Sequence, residues 1–346
     1  MSKTLQDYAT LINDTIQSNE INHYITTDNM CQNLGGIDTF KNINIPQGKV
    51  RSFQKDDVLL SNIRLYFRKV YRAKQKGGCS SDVLVFRAKH IDSATLFAIL
   101  SSQIFTDYAC LGSQGSKMPR GNKTHMMDFK IPTINFTIAK IFNSIQNKIE
   151  NNHKINELLH TLAYKIYEYY FKYKPKNAKL EQIIIENPKS SIMVKNAQKT
   201  QDKYPFFTSG DNILSYPKAI IDGRNCFLNT GGNAGIKFYV GKASYSTDTW
   251  CICANEFSDY LYLLLSSIKT HINQSFFQGT SLKHLQKNLL KKYPIYMPSV
   301  HEIKKFNQII MPLLTLISIN TRTSKKLEQI RDFLLPLLLK QQVKPQ

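Results

Sequence analysis

Apolar residues recur at seven-residue spacing over two long stretches of the chain. The first stretch carries Ile138, Ile141, Ile145, Ile155, Leu159, Leu162, Ile166 and Tyr169, with Lys148 and Asn152 in the same frame. The second carries Ile303, Phe306, Ile310, Leu313 and Ile317, then Leu327 and Leu334. This period predicts helices that pack lengthwise on another helix. The first should run from about 135 to 172, about 57 Å at 1.5 Å per residue. Lys174-Pro175 should end it, because proline cannot continue a helix. The second should run from about 301 to 340. Its offset from the first grows from 165 residues (138 to 303) to 168 (159 to 327). That shift, with Pro312, Asn320 and Ser324, predicts a three-residue insertion, local overwinding and a bend or break.

Between the helical stretches the period changes. Asp57-Val-Leu-Leu-Ser-Asn62, Asp82-Val-Leu-Val-Phe86, Tyr204 to Gly210 and Cys226 to Thr230 read as strands bounded by turns, among them Gly77-Gly78 and Gly231 to Gly235. Residues Ser93 to Ile104 read as a short amphipathic helix. The pattern predicts an α+β (mixed α/β) chain of four segments, 1–132, 133–175, 176–298 and 299–346. The two helical segments would form an antiparallel coiled-coil spacer between two globular modules.

The modules are related. Ser80-Ser81-Asp82 recurs as Ser246-Thr247-Asp248, 166 residues later, and Ile131-Pro132 recurs as Met297-Pro298 at the same offset. Leu100-Ser101-Ser102 matches Leu265-Ser266-Ser267 at 165, and Gln114-Gly115 matches Gln278-Gly279 at 164. A common order and spacing predict two diverged copies of one module with pseudo-two-fold symmetry.

Charge narrows the function. Lys+Arg 46 against Asp+Glu 25 leaves a formal net charge of +21 in 346 residues. Such an excess implies a polyanionic partner, nucleic acid before an acidic membrane surface. The six cysteines form no Cys-x-x-Cys pair and have no histidine at zinc-ligand spacing. They read as reduced thiols of a cytoplasmic protein. The Met1-Ser2-Lys3-Thr4 start lacks a signal-peptide core, and Ile309 to Ile319 is too short to span a bilayer.

Catalytic motifs fail on inspection. Gly235 to Gly241-Lys242 has five residues between its glycines, and Ala243 stands where a phosphate loop needs Ser or Thr. Asn187-Pro188-Lys189-Ser190 is half of the loop by which amino-methyltransferases hold a base. Asp82 and Asp248 each precede a strand, where capping a turn with the side chain is expected rather than catalysis.

What the sequence does offer is DNA-reading chemistry on loops. The candidates in the first module are Asn62, Arg64, Tyr66, Arg68 and Lys69, with Lys117, Arg120, Asn122 and Lys123. In the second they are Thr208, Ser209, Asn212, Asn229, Thr230, Asn233, Lys237, Thr280, Ser281 and Lys283. Two other classes remain open: a DNA-modifying enzyme (methyltransferase or nuclease) with cryptic motifs, and a coiled-coil scaffold for acidic protein.

The ordered phrases resemble the specificity subunits of type I restriction–modification systems over essentially the whole chain. They are Asp57 to Tyr66 with Lys69-Val70, Cys79 to Val85, Gly279 to Leu282, and Tyr293 to Pro298 before a long helix ending in Leu-Leu-Leu-Lys340. At Leu65 the family often has proline. The resemblance implies two target-recognition domains, 1–132 and 176–298, each reading one half of a split site in double-stranded DNA. The helices 133–175 and 299–346 would set the unread gap and dock two methyltransferase subunits; restriction/translocase subunits join some such complexes. It also implies no catalysis and no cofactor or metal on this chain, with S-adenosylmethionine and ATP/Mg used by the partners. A specificity subunit of a related defence or methylation system would share these features.

Overall fold

A computed structural model describes residues 3–38, 43–131, 134–197, 203–210, 213–279 and 282–339. The chain forms two compact units, Met1–Asn151 with Ser324–Gln346, and Asn152–Thr323. Each therefore takes in a length of both long helices.

In the first unit, strands β1 (Ala9–Ile12), β2 (Val58–Ser61), β3 (Val70–Arg72) and β4 (Val83–Ala88) form an antiparallel sheet in the order β1-β4-β2-β3. Val58, Leu60, Leu84 and Phe86 turn one face onto helices α1 (Ser93–Ser101) and α2 (Gln103–Leu111). The single helix expected over 93–104 is two. Ser102 ends α1 in extended backbone and caps α2, its Oγ accepting from Phe105 N at 3.2 Å. A hydroxyl that satisfies an orphan N–H makes a good helix start. Leu59, Val83 and Val85, on the opposite face, build a separate small core with Ile25 and Phe53. A short helix α3 (Lys123–Met127) precedes the long α4 (Phe136–Tyr167).

The second unit repeats this plan. Strands β5 (Ile185–Glu186), β6 (Arg224–Asn229), β7 (Ile236–Val240) and β8 (Thr249–Cys253) lie in the order β5-β8-β6-β7. Helices α5 (Ser258–Ser267), α6 (Lys269–Ser275) and α7 (Lys287–Lys291) follow, then α8 (Val300–Leu338). Each unit also joins the strand before its Ser-Ser/Thr-Asp turn to an upstream strand in parallel: Tyr24–Ile25 with Gly78–Cys79, and Phe206–Phe207 with Ser244–Tyr245.

Within each unit α4 and α8 run antiparallel. In the first, Asn135 N donates to Leu338 O at 3.2 Å and Arg331 Nη1 to Gln146 Oε1 at 3.0 Å. In the second, Asn320 Nδ2 donates to Asn156 Oδ1 at 3.0 Å, Phe171 meets Phe306 edge to face at 4.9 Å, and Lys174 pairs with Glu302 at 2.9 Å. After Tyr167 the helix widens into a π turn, Glu168–Lys172, just before Pro175.

The expected seam needs correction. The buried positions of α4 are Ala139, Phe142, Gln146, Ile149, Asn152, Ala163 and Tyr167. All but Asn152, which is in the predicted frame, lie one residue, about 100° of helix, from it. Ile141 is 42% exposed, Ile155 40% and Leu162 49%. Ile138, Ile145, Leu159 and Ile166 are half-buried at its edge. Small Ala139 and Ala163 and the aromatic rings fill the seam, where a search for branched aliphatics does not look. On α8, Ile303, Phe306, Ile310 and Ile317 are buried. Leu313, Leu327 and Leu334 are only half-buried, and Leu314, Ser324, Arg331, Leu335 and Leu338 face inward instead. The helix is continuous through Pro312, without the break expected there.

Candidate nucleic-acid interface

The Ser-Ser-Asp repeat marks one backbone node built twice. In the first unit Ser80 N donates to Ile25 O (2.9 Å), Val83 N to Ser80 O (3.0 Å) and Asn62 N to Asp82 O (2.8 Å). Gly121 N then donates to Asn62 O (3.1 Å), and Ile63 bridges Arg120. In the second unit Ser246 N donates to Phe207 O (2.9 Å), Thr249 N to Ser246 O (3.1 Å) and Thr230 N to Asp248 O (3.3 Å). Leu285 N donates to Thr230 O (3.0 Å), and Gly231 bridges His284. The node thus joins the strand-end loop at 62 or 230 to the later loop at 120 or 284. The aspartates act through their backbone carbonyls, not as the side-chain turn caps expected. Asp82 aims its carboxylate at Arg120 (Nη2 to Oδ1 3.0 Å), and Asp248 accepts from the Thr247 hydroxyl at 3.4 Å.

The structure brings the first module's two candidate loops together. Arg64, in the left-handed region, donates its backbone N–H to Pro119 O at 2.9 Å and its Nη2 to Lys117 O at 3.1 Å. Arg120 and Gln114 exchange both backbone hydrogen bonds, 2.8 and 2.9 Å, across a turn with Gly115 at φ 99°. Gly121 sits close under its neighbours: a Cβ there would stand 2.0 Å from Met126 Cε and 2.8 Å from Leu65 Cδ1, and those side-chain ends would have to shift. Asn122 caps α3, its Oδ1 accepting from His125 N at 3.1 Å.

Several candidates face inward. Asn62 is buried. Arg68 donates to Ser101 O at 2.9 Å, and burial pulls its guanidinium below the usual range. Lys69 Nζ donates to Thr27 O. In the second unit Lys237 Nζ donates to Thr208 O at 2.9 Å and Asn229 Oδ1 at 3.2 Å, and Asn229 Nδ2 donates to Asn233 O at 3.1 Å. Thr208 is buried, Ser209 Oγ donates to Asp248 O, and Thr230 Oγ1 donates to the same oxygen at 2.8 Å. The side chains of Arg68, Lys69, Lys237, Asn229, Ser209 and Thr230 hold the loops in shape. Tyr66, Lys117, Arg120, Asn122, Lys123, Asn233 and Lys283 are exposed. Asn212, Thr280 and Ser281 lie outside the described residues. Sequence reasoning passed over His284. The Gln114-Gly115 and Gln278-Gly279 match already pointed to it, because Arg120 and His284 each stand six residues after the glutamine.

The rejected motifs are structural. Gly231 to Gly235 is the turn of the β6–β7 hairpin, and Asn187 Nδ2 donates to Asn225 Oδ1 at 2.8 Å. Among the described residues no three His, Cys, Asp or Glu side chains gather to hold a metal. No single helix there is long and apolar enough to cross a membrane.

The chain is thus two related α+β units, each with its own copy of the same backbone node. Residues 176–329 match the family described as "Type I restriction modification DNA specificity domain". The chain also has the fold of the type I restriction-modification S subunit from M. genitalium. That likeness has a TM-score of 0.65 at 14% identity and covers 99% of this chain and 96% of that one. The HsdS subunit from Thermoanaerobacter tengcongensis matches over 98% of this chain and 96% of its own, at 13% identity and TM-score 0.37. No curated protein matches the sequence. The family match over residues 176–329 and the fold shared with the S subunit bear out the resemblance to type I specificity subunits.

Proposed function

We propose that this chain is the non-catalytic DNA-reading subunit of a type I restriction–modification complex, each unit reading one half of a bipartite site. The observation that carries this is the doubled node: identical backbone pairing at Asn62–Asp82–Gly121 and Thr230–Asp248–Leu285, with different side chains on the loops it aims. A constant frame with variable loop chemistry suits a protein that reads two different half-sites by base edges.

The long helices dock two methyltransferase subunits, and their length sets the unread gap. What supports docking is the set of apolar side chains that the corrected seam leaves exposed in each unit: Ile141, Ile330 and Phe333 in the first, and Ile155, Leu158, Leu162 and Ile319 in the second. Exposed apolar surface of this kind marks partner sites. The methyltransferases bring S-adenosylmethionine, and a motor subunit, where one joins, brings ATP and Mg. The test is to map methylated bases in cells that express the methyltransferase with and without this chain. A split motif that depends on the chain is expected; an unchanged methylation pattern contradicts the proposal.

A further inference from the structure

Resting on that reading, we infer that Arg120 and His284 are one and the same base-reading position in the two units, and that Asp82 is the positioning residue for Arg120. The equivalence is one of hydrogen bonding. Arg120 bridges Ile63, one residue beyond the Asn62 carbonyl that accepts from Gly121. His284 bridges Gly231, one residue beyond the Thr230 carbonyl that accepts from Leu285. Each sits on a strand-like arm paired back to the repeated glutamine, Arg120 with Gln114 and His284 with Gln278.

The backbone of Arg120 is fixed at both its N–H and its carbonyl, yet 62% of its side chain is exposed. The Asp82 carboxylate holds one guanidinium nitrogen, Nη2 lying 3.0 Å from Oδ1 and 3.3 Å from Oδ2. An ion pair this exposed adds at most about 1 kcal/mol of stability. Its geometric effect is larger, because it sets the plane of the fork while other N–H groups stay open to solvent. A planar, pre-aimed guanidinium matches the O6 and N7 acceptors of guanine in the major groove. His284, with one ring N–H and one acceptor when neutral, cannot form that bidentate pair. The second unit therefore reads with a different hydrogen-bond pattern at the corresponding place.

The test is selection of the full-length chain against a randomised duplex library, followed by sequencing, for wild type, R120A, R120K, D82N, D82N/R120A and H284A. R120A should lose preference at one base pair of one half-site by about ten- to a hundredfold. R120K should lose it too, although it keeps the charge. D82N should relax the same base pair while retaining most of the total affinity, and D82N/R120A should be no worse than R120A. H284A should alter only the other half-site. Unchanged preferences in R120A, a uniform loss across all sequences, or changes in both halves would overturn the inference and leave the bipartite reading intact. If the wild-type chain enriches no split sequence, the proposed function fails and the inference with it.

Discussion

The two units share a frame and differ in what fills it. Each sheet has the same strand order and the same node, yet each pairs a different arginine with its own buried aspartate. In the first unit Arg87 on β4 pairs with Asp57 at 2.8 Å, and the arginine is a third exposed. In the second, Arg224 on β6 clamps Asp259 of α5 and also donates to Thr315 Oγ1 of α8 at 3.0 Å. There the aspartate is nearly sealed from water, at 2% exposed, and the arginine is 17% exposed. The packing differs in kind as well. Aliphatic side chains dominate around α1 of the first unit, whereas Phe207 stacks on Phe227 at 3.9 Å in the second, close to Tyr239. Backbone pairing has therefore outlasted side-chain chemistry, as expected where a scaffold must hold position while its surface changes what it reads.

That contrast can be broken most severely at the buried pairs. Arg224→Ala should destabilise the second unit by about 3–5 kcal/mol, because it strands the Asp259 carboxylate in a dry site. Arg87→Ala should cost less, since Asp57, although 2% exposed, keeps its hydrogen bond from Gln54 N at 2.7 Å and the third-exposed Arg87 leaves a site that water can enter. Urea unfolding followed at Trp250, the lone tryptophan, reports on the second unit. The pH dependence has a definite sign. Burial already pushes Asp259 above its usual range, with Arg224 opposing it. A raised carboxylate pKa makes the ionised form costly in the folded state, and that cost vanishes as pH falls through the unfolded value near 4. The Arg224→Ala deficit should therefore shrink between pH 7 and pH 4; a deficit independent of pH would show that Asp259 is not the stranded group.

Next in size is the helix pair. Arg331, buried against Gln146 in the first unit, has its polar counterpart at Asn156 and Asn320 in the second. Arg331→Ala should cost about 2–3 kcal/mol by leaving Gln146 unsatisfied. Arg331→Met with Gln146→Leu should recover most of it. Thermal unfolding of the single and double variants decides this, and a double variant as unstable as the single would argue against a paired polar lock. Glu302 is a smaller lever. It closes a capping box with Ser299, accepting from Ser299 N at 2.9 Å, and that bond with Lys174 holds its pKa at about 2. Glu302→Gln should cost about 1 kcal/mol at neutral pH. A lowered carboxylate pKa gives stability that is present above about 4.5 and is lost as pH falls towards 2. The variant should therefore converge on wild type in acid.

The smallest expected effect on stability is at Leu162. In the frame predicted from sequence, Leu162→Ala would cost about 2–5 kcal/mol. With half the side chain exposed, the cost should stay below about 1 kcal/mol, while co-purification with the methyltransferase weakens. A large loss of melting temperature would restore the predicted seam.

The long helices, the strand phrases and the 166-residue repeat were legible because each rests on periodicity or on short turns coded locally. The helix face was not. Ala139 and Ala163 look unremarkable in a heptad scan, and whether Leu162 or Ala163 turns inward depends on a partner helix more than a hundred residues away in the chain. Arg68, Lys69 and Lys237 read as DNA contacts because a lysine or arginine on a loop usually serves solvent or phosphate. Here each finds an internal carbonyl that no sequence pattern locates. His284 was the converse case: the matched glutamines six residues earlier put it in register with Arg120, and the bridges at Ile63 and Gly231 give that register its structural meaning.

The central claim is that the two units read independently. It is tested most directly by replacing residues 176–298 with the corresponding module of another specificity subunit and mapping the methylated sequence in the assembled complex. One half of the split motif should change to that of the donor while the other half stays as it was. A change in both halves, or in neither, would contradict the account.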